Sequence, residues 1–150
     1  MQYVESPKVL VEHNSKASIF LAGGITGCWD WQKEIVYMLE NTDIVLLNPR
    51  RKDFPTHDSS AAIQQITWEY EHLRKADAII FWFSHETLCP IVLFELGSWL
   101  HQNKPIFVGT HPEYARKHDI EIQLGLARPD LKVVYSLNDL AEQVKTFLIH

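Results

Sequence analysis

The eleven residues from Pro90 to Leu100 contain one ionisable side chain, Glu95. Pro90 suits the first turn of a helix. The residues after it are apolar nearly all round, so this helix is expected to be buried. A carboxyl in such a setting requires a partner, a hydrogen-bonded pocket or a raised pKa. Glu95 is therefore either half of a structural ion pair or a group held for chemistry. Behind it, Gly97 and Ser98 point to close packing against the sheet or another subunit, because glycine costs a helix interior about 1 kcal/mol relative to alanine.

A second stretch of chemical interest is Gly23-Gly24-Ile25-Thr26-Gly27-Cys28-Trp29-Asp30-Trp31. Glycines between a strand and a helix let backbone amides approach an anion or a sugar hydroxyl. The spacing lacks the full GxGxxG of dinucleotide sites, and a tight turn without ligand is the alternative. A third is Trp68-Glu69-Tyr70-Glu71-His72, where one of the two acids is expected to face solvent. Asp77, just beyond, is free to cap or to pair with Arg74 or Lys75. Eight histidines show no HxH or HxxxH spacing, and His111 and His118 stand seven apart in a loop, so neither a metal nor another cofactor is expected.

The elements that must carry these residues alternate. Strands are expected at Ser18–Ala22, Asp43–Leu47, Ala78–Phe83, Pro105–Gly109 and Lys132–Tyr135. Helices are expected at about Trp31–Glu40 behind Asp30, at Ala61–Ala76 behind Asp58-Ser59-Ser60 with Ile63, Ile66, Tyr70 and Leu73 at helical spacing, and at Pro90–Gln102. A last amphipathic helix carries Leu140, Val144, Phe147 and Leu148. Val9-Leu10-Val11 is either an edge strand or a segment packed over the sheet. Strands apolar on both faces imply a parallel sheet covered by helices. The expected fold is a single α/β domain over residues 1–150, with residues 1–17 as an N-terminal extension or edge strand. It is a Rossmann-like (flavodoxin-like) open sheet of about five strands with helices on both faces. In such sheets ligands bind beyond the carboxyl ends of the strands, where the Gly23, Asn48, Ser84 and Gly109 segments fall. Of the aromatics there, Trp29, Trp31 and Trp82 either stack on a ligand or belong to the core.

Composition narrows the partners. Fourteen Lys and Arg against nineteen Asp and Glu give a net charge of −5. With no basic block beyond Arg50-Arg51-Lys52, read as a solvated loop, nucleic acid and anionic lipid are poor partners. No apolar stretch approaches the roughly 20 residues of a membrane span. The first 18 residues, with Glu5, Lys8, Glu12, His13 and Lys16, lack the apolar block of a signal peptide. Cys28 and Cys89 share no metal spacing. The expected setting is cytoplasmic, with reduced thiols.

Together the motifs resemble the nucleoside 2-deoxyribosyltransferase family, in particular its small deoxyribosyltransferase-like branch. The matching stretches are Phe20–Gly27 followed by Asp30-Trp31-Gln32, then Leu47-Asn48-Pro49-Arg50, Ala76–Ile80 and Phe94-Glu95-Leu96-Gly97. The resemblance implies that Glu95 is the nucleophile and that Glu69, eight positions before Asp77, handles the base. It implies a sugar site at Gly23, Gly24 and Gly27 with Thr26 or Trp31, and Asp77 belongs to the same motif set. The family's second carboxylate, six positions before the nucleophile, falls here on Cys89, so sugar recognition is altered or Glu86 serves instead. The implied activity is transfer of a deoxyribosyl group from a nucleoside or nucleotide to another free base. Alternatives are hydrolysis of a nucleoside 5′-monophosphate, with Ser84, Thr110 and Arg116 available to a phosphate, and a non-catalytic nucleotide sensor. The family also implies a homodimer or larger even homo-oligomer.

Overall fold

The computed structural model describes residues 1–11 and 15–150. Glu12 and His13 of the charged N-terminal stretch lie outside the described residues. Strand β1 (Gln2–Glu5) is followed by β2 (Ala17–Gly23), helix α1 (Trp31–Met38), β3 (Ile44–Asn48), α2 (Ser59–Lys75) and β4 (Ala78–Phe83). Then come α3 (Pro90–Trp99), β5 (Ile106–Thr110), α4 (Lys117–Ala127) and α5 (Leu137–Ile149). The five strands form one sheet in the order β1-β3-β2-β4-β5, with every pairing parallel. Each residue of β3 and β4 is buried, as strands covered on both faces must be.

Two apolar layers sandwich the sheet. Trp68 and Leu73 of α2, Val92 and Leu96 of α3, and Ile120 and Leu124 of α4 share one core with Phe20, Leu47 and Phe81. Ile35 of α1 and Leu140 and Val144 of α5 share the other with Ile19, Leu46 and Ile80. Asp30, Asp58 and Ser136 cap α1, α2 and α5 by accepting the amides of Lys33, Ser60 and Asp139.

The sheet differs from expectation at its edges. Its fifth strand is Gln2–Glu5, beside β3, whereas Lys132–Tyr135 contributes a single bridge between Val134 and Gly109. Beyond Val134 the chain turns at once into the Ser136 cap of α5, which leaves no length for a ladder. Polar Gln2 and Glu5 hide an edge strand whose only fully buried side chain is Val4. Val9-Leu10-Val11 is not a strand; it lies along α2, where Trp68 Nε1 donates to the Lys8 carbonyl (2.7 Å) and the Leu10 amide to His72 Nε2 (3.0 Å). The buried His72 ring is held neutral, because burial lowers its pKa. Helix α4 has no counterpart in the expected alternation, and His118 lies on it rather than in a loop. Its apolar residues recur every second position, at Ile120, Ile122, Leu124 and Leu126, which masks the helical period; Ile122 and Leu126 are exposed.

Candidate active site

From β2 the chain turns through α1 to β3 on one side, and then crosses by α2 to β4 on the other. The carboxyl ends of β2 and β4 thus diverge at a switch in strand order, where a crevice opens. A cavity of about 300 Å³ lies there, lined by Gly23, Gly24, Ile25 and Thr26 after β2, by Thr87 and Cys89 after β4, and by Glu69 and Glu95 from α2 and α3. A wider groove of about 840 Å³ follows the β5 edge beside α5, away from the glycine turn and both of these helices.

The glycine turn is built for close approach. A side chain at Gly23 would overlap the Trp31 indole, and one at Gly24 would meet the sulfurs of Cys28 and Cys89. Trp31 Nε1 and Gln32 Nε2 both donate to the Gly24 carbonyl (3.1 and 3.3 Å). Gly27 has a φ of 73°, a conformation costly for other residues. Arg50 belongs to no solvated loop. Its guanidinium donates to the carbonyls of Cys28 (2.9 Å) and Trp29 (3.1 Å) and to Gln32 Oε1 (3.1 Å), clamping the turn to the end of β3.

Opposite, the segment after β4 brings Thr87 Oγ1 to 3.5 Å from both sulfurs, Cys28 Sγ and Cys89 Sγ. Tyr114 donates its hydroxyl to the Leu88 carbonyl (2.8 Å) and fixes this segment against the core. Cys89 immediately precedes α3 with φ 49° and ψ 56°, a left-handed conformation that aspartate and asparagine enter more readily than cysteine. Burial pushes its thiol pKa up, so it stays protonated.

Glu95 reaches the cavity from the second turn of α3. Its Oε2 is out of water and has no hydrogen-bond partner among the described residues. Burial, and then the charge of Glu69, raise its pKa to about 8. Glu69 is also raised by burial, against the pull of a hydrogen bond from Gln65 Nε2 to its Oε1 (3.0 Å). That amide also donates to the Pro49 carbonyl (2.7 Å), and Ser6 Oγ donates to Gln65 Oε1 (2.7 Å). Gln65 and Thr87 are site residues that sequence reasoning missed. The i, i+4 spacing of Gln65 and Glu69 is the one signal that pointed to the first.

Of the expected site residues, Glu95, Glu69, Gly23, Gly24, Thr26 and Cys89 line one cavity. Four do not. Trp31 is buried beneath Gly23 as its support. Gly27 shapes the turn without facing the cavity. Asp77 lies at the amino end of β4, the wrong end for the cavity, where its Oδ2 accepts the Ser18 amide (2.7 Å) and hydroxyl (2.8 Å) and ties β4 to β2. Glu86 is turned to the outside, accepting the Trp29 amide on Oε1 (3.1 Å), and does not take the place of the missing carboxylate. Among the aromatics, Trp82 is buried against Gly109 and Trp29 is exposed. A Cβ at Gly97 would meet nothing within 4 Å, so no backbone of the described residues packs against it.

An open parallel α/β sheet with two carboxyls and a glycine turn around one crevice defines a class of small-molecule site at a topological switch point. The family described as nucleoside 2-deoxyribosyltransferase like matches residues 16–114, and the chain belongs to that family. No curated protein matches the chain. Among solved structures, a conserved protein from Enterococcus faecalis V583 is similar at 20% identity with a TM-score of 0.61, over 89% of this chain and 100% of the other. That likeness concerns the fold. No helix among the described residues is long and apolar enough to cross a membrane.

Proposed function

We propose that the protein cleaves the N-glycosidic bond of a (deoxy)nucleoside or nucleotide and transfers the deoxyribosyl group to another base. The observation that carries this reading is the meeting of Glu69 and Glu95 in one cavity beside the glycine turn, with Glu95 Oε2 buried and unpartnered. An ionised Glu95 attacks C1′ as the bond to the base breaks, and the glycosyl cation is trapped as an ester. Glu69, protonated, gives its proton to the departing base. A second base then attacks C1′, releases the Glu95 carboxylate and returns a proton to Glu69. Two inversions give net retention at C1′. Gly23, Gly24 and Thr26 lie where the sugar would rest.

The substitution of the family's second carboxylate by Cys89 favours one other reading, a nucleotide sensor that binds without turnover. Chromatography of free base after incubation with deoxynucleosides, ribonucleosides and their monophosphates separates the cases. Base release that requires an acceptor base supports transfer. Release without acceptor points to hydrolysis, and binding without release to the sensor.

The reading includes a second copy of the chain as partner. Ile63, Ile66 and Tyr70 on α2 and Ile91 and Phe94 on α3 are all exposed, although the α2 residues show the spacing of a buried stripe. Ile91 also lines the cavity, so this apolar face continues into the site. A homodimer through it covers the face and narrows the mouth.

A further inference from the structure

His85 follows β4 and His111 follows β5, and the two strands leave the sheet side by side: Phe83 pairs with Thr110, and the His111 amide donates to the Phe83 carbonyl (2.8 Å). Their imidazole rings lie with centroids 4.1 Å apart at 32° to each other. Glu113 completes the group, and the three residues each offer a ligand atom within 4.8 Å of the others. His85 and Glu113 are exposed and His111 is half-buried, so core packing does not account for the cluster.

A further carboxylate stands beside the cluster. His85 Nδ1 is 3.7 Å from Glu86 Oε2, which makes Nε2 the ring nitrogen turned from that carboxylate. The Trp29 amide holds the other oxygen of Glu86 in place. A carboxylate behind a histidine in this way is the usual outer support of a metal ligand. His111 Nδ1 accepts the Glu113 amide (3.1 Å). Ligation through either ring nitrogen gives up that bond: through Nδ1 because the metal takes its lone pair, through Nε2 because the ring proton must then sit on Nδ1.

We propose that His85, His111 and Glu113 form a site for a divalent first-row cation, Zn²⁺ foremost, that ties the segment after β4 to the segment after β5. Two imidazoles and one carboxylate suit zinc and leave a fourth position for water or a ligand oxygen. Bonds of about 2.0–2.2 Å place tetrahedral ligand atoms about 3.3–3.6 Å apart. The 4.8 Å spread therefore closes by rotation of exposed side chains. The segment so fixed is the one that carries Thr87 and Cys89 of the cavity wall, though the site itself is independent of the glycosyl chemistry.

The test is calorimetric titration of chelator-treated full-length protein with Zn²⁺, repeated with Co²⁺ under visible absorption. One equivalent per chain is expected, with the absorption bands of four-coordinate cobalt. His111→Ala and Glu113→Gln should each weaken Zn²⁺ binding by about 100-fold or more, beyond the tenfold or greater loss from removing an outer support. Both variants should melt at the wild-type temperature without metal. Absence of stoichiometric binding overturns the site. So does binding that survives both variants, or that is lost instead in Cys28→Ser, which would place the metal on the thiols.

Discussion

Glu69 and Glu95 face one cavity from neighbouring helices, and the charge of Glu69 adds to burial in holding the Glu95 carboxyl at about 8. Two interacting acids titrate as a pair, and between their two steps the pair carries one proton. Since the Glu69 charge is among the causes that raise Glu95, the free protein holds that proton on Glu95; the glycosyl reaction uses the other arrangement of the same singly protonated pair, with Glu95 ionised and the proton on Glu69. A bell-shaped profile of kcat/KM against pH is therefore expected, its alkaline limb near 8. In Glu69→Gln the neighbouring charge is gone and the ionisation of Glu95 should move to lower pH. Rates should fall less on activated leaving groups, which need no proton. An equal loss on natural and activated substrates would remove the acid role from Glu69.

Glu95→Gln should abolish turnover in a folded protein, since an amide keeps the size but forms no stable glycosyl ester. A loss of about 10³-fold or more, about 4 kcal/mol of barrier, is the expected scale. Near-normal rates would refute the nucleophile.

The same substitution has a signature in stability. The Glu95 pKa rises from 4.5 in the open chain to about 8 in the fold, so folding favours the protonated form. Its stabilisation is complete below pH 4.5 and is lost as pH rises to about 8. Glutamine is neutral throughout, so Glu95→Gln should melt close to wild type at pH 4 and above it at pH 9. Calorimetric scans at the two pH values read the difference directly.

Gly23→Ala tests the packing beneath the site. The added methyl enters the space of the Trp31 indole, which is locked by its bond to the Gly24 carbonyl. Overpacking of this kind costs about 1–3 kcal/mol, and a drop of several degrees in melting temperature is expected. An unchanged melting temperature would mean that the indole moves freely.

Much of this arrangement was legible in the residues. The apolar helix around Glu95 and the glycines after the first predicted strand exposed the two walls of the cavity, because burial of a lone acid and a run of glycines are local signals. Trp31 and Asp77 lie off the cavity for different reasons: sequence does not tell which face of α1 Trp31 turns under the glycine turn, whereas only its place in the motif set connected Asp77 with the site. Asp77 immediately precedes β4, at the end of the strand opposite the cavity. His85 and His111 escaped notice because a parallel pairing of β4 with β5 brings together residues that no short spacing connects. Residues 1–17 were expected to supply an extension or an edge strand; Glu5 and Gln2 concealed where in that stretch the strand lies, since an edge keeps polar side chains that a central strand excludes.

The exposed face of α2 and α3 yields a prediction on assembly. Ile66→Glu with Phe94→Glu places two charges on it without touching the core. Exposed changes of this kind shift folding stability by about 0.5 kcal/mol or less. Light scattering behind size exclusion should show wild type at twice the chain mass and the double variant at the chain mass. A wild-type monomer would remove this face as a self-interface.

The last prediction concerns Cys89, which stands on the cavity wall with Glu95 and Glu69. Its left-handed backbone is a place that aspartate fills readily, and its side chain makes no cap to α3. Cys89→Asp should therefore be accepted by the backbone, with Thr87 Oγ1, now 3.5 Å from the sulfur, placed to donate to the new carboxylate. If the carboxylate receives a sugar hydroxyl, activity on 2′-deoxynucleosides should rise. A hydrogen bond to a charged acceptor is worth about 1.5–3 kcal/mol, or about ten- to a hundred-fold in kcat/KM. A third acid in the cavity opposes the gain by raising the pKa of its neighbours, so the optimum should move to higher pH as the rate increases. Cys89→Asn is the control: it fits the same backbone, carries no charge, and should leave the optimum in place. A folded Cys89→Asp protein with unchanged preference and pH profile would show that the residue before α3 does not govern sugar recognition.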